Sequence, residues 1–314
     1  MKGVRYSIRL TGLKSVEGTI PLCALKEITD VLLLGTERAL RLSVEGVSIK
    51  KGRTPSWLTD TLEFVVTGIT KGSTILEIEA PTLKDTASEQ IKQQGLWYTV
   101  PRGTDTAISL LSRSIKDAVG NKLDSVYYDR GVLNAINGFG IPFNKYIDTL
   151  ELNSPAKRED DFKIAKPDIQ RISRIEQEMP EPRSMVIAGI FNLIEHTQNR
   201  FQLTLSDGRR IFGKIESPLI SKENMRSLWG EKVTIKGIGQ FSATGKLRFI
   251  EAQVLKTQEK GEEVFEHVME PIPMFNLLEV TKPKAMIGSP LKSIWGQWPG
   301  NESIEELLLD LKNN

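Results

Sequence analysis

The sequence predicts an α+β domain at the amino terminus, then an all-β, five-stranded barrel with one helix, and an amphipathic helix in a carboxyl-terminal tail. Three observations predict it. Helical and alternating apolar patterns are interspersed in the first half; residues 184–256 carry five strand patterns, with helical spacing only between the third and fourth; and the last residues show an apolar helical face beside two tryptophans. At 314 residues the chain is long enough for two cores. The boundaries so read are 1–152 for the α+β domain, 153–183 for a linker, 184–256 for the barrel and 257–314 for the acidic tail.

Val4 to Leu10 alternates with period two and reads as a half-buried strand. Leu22, Leu25, Ile28, Thr29, Leu32 and Leu33 recur at helical spacing, with Pro21 at the first turn and Gly35 as the stop. Ala39 to Val44, Leu62 to Val66 and Ser73 to Ala80 are the next strands, the last two forming a hairpin around Lys71-Gly72. Asp105 caps a helix running to Val119, and a second helix starts near Tyr128-Asp129-Arg130 and ends at Gly138. Tyr146 to Leu152 returns as a strand. Residues 153–182 turn polar and proline-rich, with Phe162, Ile164, Ile169, Ile172 and Ile175 available for one short strand or docked helix.

Met185 to Ile194, Arg200 to Leu205 and Arg209 to Glu216 form a three-stranded meander, turning at Ser206-Asp207-Gly208. Leu219, Ile220, Met225, Leu228 and Trp229 give one face of a short helix, and Lys232 to Phe241 and Lys246 to Leu255 add two strands around Ser242-Ala243-Thr244-Gly245. Gly189, Gly213, Gly237 and Gly239 fall inside strands, where a small barrel bends sharply. This order of elements resembles the OB-fold class, over about a quarter of the chain. The resemblance implies binding of single-stranded nucleic acid across the second and third strands, with a cationic groove and stacking aromatics.

Charge points the same way. From Arg183 to Lys256 twelve Lys/Arg stand against six Asp/Glu, a net +6; from Thr257 to Asn314 five stand against ten, a net −5. On the third barrel strand Arg210, Phe212 and Lys214 share one side. Arg200 and Gln202 on the second strand, and Lys236 and Arg248 on the last two, extend that patch. The Lys50 to Trp57 loop is a second place for a phosphate backbone.

The chemistry of an enzyme is missing. Cys23 is the one cysteine, and with His196 and His267 it makes no Cys/His zinc site and no disulfide. Gly239 to Leu247 has five residues between its glycines and Leu247 where a P-loop needs Ser or Thr, so it reads as a turn. Asp161-Phe162-Lys163 with Pro167-Asp168 holds the pieces of a nuclease signature in reversed order, and Glu77 and Glu79 share a strand face, a spacing able to pair carboxylates around the metal of a metal-dependent nuclease. Both read as ordinary surface, and no cofactor is expected. No apolar run approaches the roughly 18 residues of a membrane span, and no signal peptide follows Met1, which leads to a cytosolic, non-membrane expectation.

In the tail, Trp295, Trp298 and Pro299-Gly300 precede a capping box at Ser303 and Glu306, and Ile304, Leu307, Leu308 and Leu311 form one apolar helix face. So short a helix needs a surface to dock on. These residues resemble the toxin-embracing tails of bacterial antitoxins, especially those paired with PIN-domain ribonucleases. The resemblance implies a small nuclease toxin as partner of residues 294–312. The chain departs from those families in its length and in having no ribbon-helix-helix or AbrB-like start. The expected function is therefore non-enzymatic: nucleic acid on the barrel and a protein on the tail. A scaffold or assembly subunit that binds only proteins is the alternative.

Overall fold

The structure, a computed structural model, describes residues 3–13, 19–50, 52–70, 74–92, 101–195, 199–215 and 226–271. The first half is one antiparallel sheet with helices on one face. β1 (Val4–Thr11) lies at its centre; α1 (Leu22–Glu45), α2 (Ser56–Thr61), β2 (Val65–Thr70), β3 (Thr74–Ala80), α3 (Leu83–Thr86) and α4 (Ser88–Lys92) follow. Then come α5 (Ala107–Val119), α6 (Arg130–Asn137), α7 (Gly140–Lys145) and β4 (Thr149–Asn153). β5 (Phe162–Ala165) completes the sheet, whose strand order is β2-β3-β1-β4-β5, and α8 (Lys166–Glu178) follows it. Tyr6, Ile8 and Leu10 of β1 face α1, α5 and α6 in one core. The stretch read as a linker thus contains the short strand and the docked helix: β5 pairs with β4, and Ile169, Ile172 and Ile175 are buried in that core.

Four local expectations are corrected. The helix does not stop at Gly35. It runs on through Ala39–Val44, expected as a strand, and ends at Gly46, whose φ of 84° gives the left-handed cap. Ala39, Leu40, Leu42 and Val44 are all buried, so no helical polar stripe shows in that turn, and Arg41 is held by Glu37 and Glu45 one turn away on either side. Trp57 and Thr61 belong to α2, which pushes the next strand from Leu62–Val66 to Val65–Thr70. Thr106, not Asp105, caps α5 in a reciprocal pair with Ser109, because Asp105 is fully buried and bonded to Arg113 and Lys157. Before β4, Gly140–Lys145 turns as α7, so the strand starts at Thr149 and not at Tyr146. The Lys71-Gly72 turn, His196, most of the Pro218–Gly230 helix and the whole of the tail helix lie outside the described residues.

The second half is a closed barrel. β6 (Arg183–Glu195), β7 (Arg200–Thr204), β8 (Arg210–Ile215), β9 (Lys232–Phe241) and β10 (Leu247–Thr257) join in the cyclic order β10-β8-β7-β6-β9. Every neighbour pair is antiparallel except β8 and β10, which run parallel. A meander closed by a parallel contact between its third and fifth strands is an OB-like topology. The barrel is filled by Ile187, Phe191, Phe201, Leu203, Ile211, Val233 and Ile250, with Phe191 and Phe201 stacked at 5.3 Å between centroids. Gly213 makes this possible: a Cβ there would meet the Phe201 ring at 2.2 Å. Among the described residues no helix is long and apolar enough to cross a membrane.

Candidate functional site

On β7 and β8 the register sets Arg200 opposite Lys214, Gln202 opposite Phe212 and Thr204 opposite Arg210. Because side chains alternate across a strand, these six point out of the barrel, while Phe201, Leu203, Ile211 and Ile215 point in. Five of the seven residues expected to bind nucleic acid therefore lie on one outward strip. Arg210 is exposed, Gln202, Phe212 and Lys214 are half-buried, and Arg200 is buried at 3 % exposure.

The other two are placed elsewhere. Lys236 is exposed on β9 between Val186 and Val254, and β9 shares no edge with β7 or β8. Arg248 is the extra residue of a bulge between Leu247 and Phe249. It turns toward the first domain and donates from Nη1 to the Tyr128 carbonyl at 2.5 Å and from Nη2 to the Val126 carbonyl at 2.9 Å. Burial lowers the pKa of this guanidinium, against the pull of Asp129, Tyr128 and Asp124.

Arg248 belongs to a seam that joins barrel and sheet domain. Phe249, 5 % exposed, lies on Gly46, where a Cβ would come within 2.4 Å of its ring. The β9–β10 turn, Ser242 to Gly245, inserts into the first domain: Ala243 packs in that core and its N–H donates to the Leu123 carbonyl at 3.2 Å. Asp124 accepts from Ser242 Oγ at 3.0 Å, from Lys246 Nζ at 2.6 Å and from Thr244 Oγ1. Partial burial would raise the pKa of this carboxyl, but those three donors hold it below the usual carboxylate range.

Between seam and strip a cleft of about 310 Å³ remains. Leu42, Val44, Gly46 and Val126 form one wall; Arg200, Arg210, Phe212 and Phe249 form the other. Its volume is at the lower end of the roughly 300–1,000 Å³ of small-ligand sites. An aromatic wall with guanidinium groups beside it can stack a planar ring and pair with an anion. Sequence reasoning foresaw Phe212 but not its aromatic neighbour Phe249, which the parallel β8–β10 contact sets beside it.

It also missed Trp229. Expected on the apolar face of a helix, this residue is 67 % exposed, and its indole Nε1–H donates to the Asn192 carbonyl at 2.7 Å. Gly230 and Glu231 are bonded to the Phe191 backbone and hold the tryptophan beside β6.

Three of the carboxylates read for metal chemistry, Glu79, Asp161 and Asp168, serve structural contacts. Glu79 accepts from the Gly3 N–H at 2.8 Å and pairs with Arg5; Asp161 accepts from the Ser154 N–H at 2.6 Å; Asp168 accepts from the Ala165 N–H at 3.0 Å at the start of α8. Among the described residues no three His, Cys, Asp or Glu side chains stand together as metal ligands. Trp295, Trp298, Ile304, Leu307, Leu308 and Leu311 lie outside the described residues. Comparison with protein-family models, curated proteins and solved structures found no match.

Proposed function

We propose that this chain is a non-enzymatic binding protein with two ligands. Its barrel holds single-stranded nucleic acid on the outward strip of β7 and β8. Residues 294–312 engage a protein, a small nuclease toxin in an antitoxin-like arrangement. The observation that carries the first reading is the placing of Arg210, Phe212 and Lys214 with Gln202 on the outward side of two adjacent strands, Arg210 and Phe212 also lining the cleft. A base stacked on an aromatic is worth about 1–3 kcal/mol, and each phosphate paired with a cation adds a slope of about 0.7 to the salt dependence for single strands. The second reading rests on the tail sequence alone.

Phe212→Ala combined with Lys214→Ala should weaken binding of a fluorescent single-stranded oligonucleotide by about tenfold or more and flatten its salt dependence. Unchanged binding removes this face from consideration. Truncation before Trp295 should abolish toxin neutralisation and leave oligonucleotide binding intact. A barrel that binds only proteins is the second reading, favoured by the use of the β9–β10 turn and Phe249 for docking within the chain. It predicts that no single strand binds at any salt concentration.

A further inference from the structure

The outward strip is closed at one end, on the β10 side. Beyond β8 the next strand is β10, and its outer side is occupied: Phe249 is seated on Gly46, and Arg248 is bonded to two carbonyls of the first domain. A strand lying over Phe212 cannot pass this wall. In the other direction, among the described residues, Gln202 and Thr204 on β7 and Asn192 on β6 keep part of their surface, and the turn at Glu263–Glu266 packs against another part of β6. Gln202 and Thr204 are half-buried there, Asn192 is exposed and bonds Thr204 Oγ1 at 2.5 Å, and Trp229 stands beyond them with its indole N–H fixed. From β8 to β6 is two strand spacings, about 10 Å. At a rise of about 3.4 Å per stacked nucleotide, that is room for roughly three.

We propose that the strip captures the end of a single nucleic-acid strand, with its terminal nucleotide in the cleft and Trp229 as a second stacking platform. The terminal base lies against Phe212, its phosphate meets Arg210, and the following bases cross Gln202 and Asn192 to the indole. The proposal rests on the nucleic-acid reading above and adds direction and extent to it. Two aromatics at opposite ends of a polar strip suit a short stacked run of bases, whose outer faces meet the rings and whose edges meet amide and hydroxyl groups.

The test compares one linear single-stranded DNA of about ten nucleotides with the same sequence closed into a circle, by fluorescence anisotropy on the full chain. The linear form should bind at least tenfold more tightly. Trp229→Ala should lower linear affinity by about tenfold, Trp229→Phe should restore most of it, and a dinucleotide should not distinguish either variant from the unaltered protein. Equal affinity for circle and line overturns end capture while leaving nucleic-acid binding in place. If neither form binds, the function proposed above fails with it. Full linear affinity in Trp229→Ala removes the second platform and leaves that tryptophan to a polypeptide partner.

Discussion

Gly46 performs two tasks that a side chain would spoil. Its φ of 84° closes α1, and its bare Cα gives Phe249 a seat. Gly208, in the β7–β8 turn, has nearly the same φ of 81° but nothing within reach of a Cβ. Both glycine-to-alanine changes incur about 1–2 kcal/mol for left-handed backbone, and only the first also unseats an aromatic ring. Gly46→Ala should therefore lower stability by at least about 1 kcal/mol more than Gly208→Ala, measured by urea unfolding. Equal losses would mean that Phe249 does not rest on this glycine. Phe212 and Lys214 were legible in the sequence because period-two alternation is read within a single strand. The seat for Phe249 was not, since nothing near residue 46 specifies a contact two hundred residues away.

At the level of elements, the barrel strands were readable and α1 was not, and the difference has a physical origin. Asp207-Gly208 and Thr244-Gly245 mark the barrel's turns with glycines at positive φ, between stretches buried on one side only. The second half of α1 is covered all round, so burial erased its helical period, and Ala39 to Val44 mimicked a strand. The clue that survived is the spacing of Glu37, Arg41 and Glu45, four residues apart, with Arg41 donating to Glu37 at 2.9 Å and to Glu45 at 3.3 Å. Arg41 is 6 % exposed, and its loss would leave two carboxylates with no shared cation. Arg41→Ala should cost about 2 kcal/mol, and Arg41→Ala with Glu37→Gln clearly less than the sum of the two single changes. Simple additivity in a double-mutant cycle would show that the ladder contributes nothing.

For the whole molecule, the seam on Asp124 links stability to pH. Its folded pKa is depressed, so the stabilisation is fully present above the ordinary carboxylate range and is lost as pH falls through that range toward the folded value. Asp105 behaves likewise. Burial opposes its charge, but Arg113, the Arg102 N–H and Lys157 bring its pKa below the ordinary value. Asp124→Asn should thus reduce the urea midpoint at pH 7 and have much less effect at pH 3, where the native carboxyl is losing its advantage. The same deficit at both pH values would remove Asp124 from the acid response. This seam was invisible in the sequence: Ser242, Thr244 and Lys246 look like any polar turn, and their partner is more than a hundred positions earlier.

Ala243 also imposes an order of assembly. The sheet, α5 and α8 are all synthesised before it, yet their hydrophobic interior is complete only once this alanine arrives from the last barrel turn. During translation the amino-terminal half therefore emerges before the residue that completes its core. Cutting the chain at residues 179–183 should yield fragments that find one another in solution through that plug, a natural starting point for a split reporter.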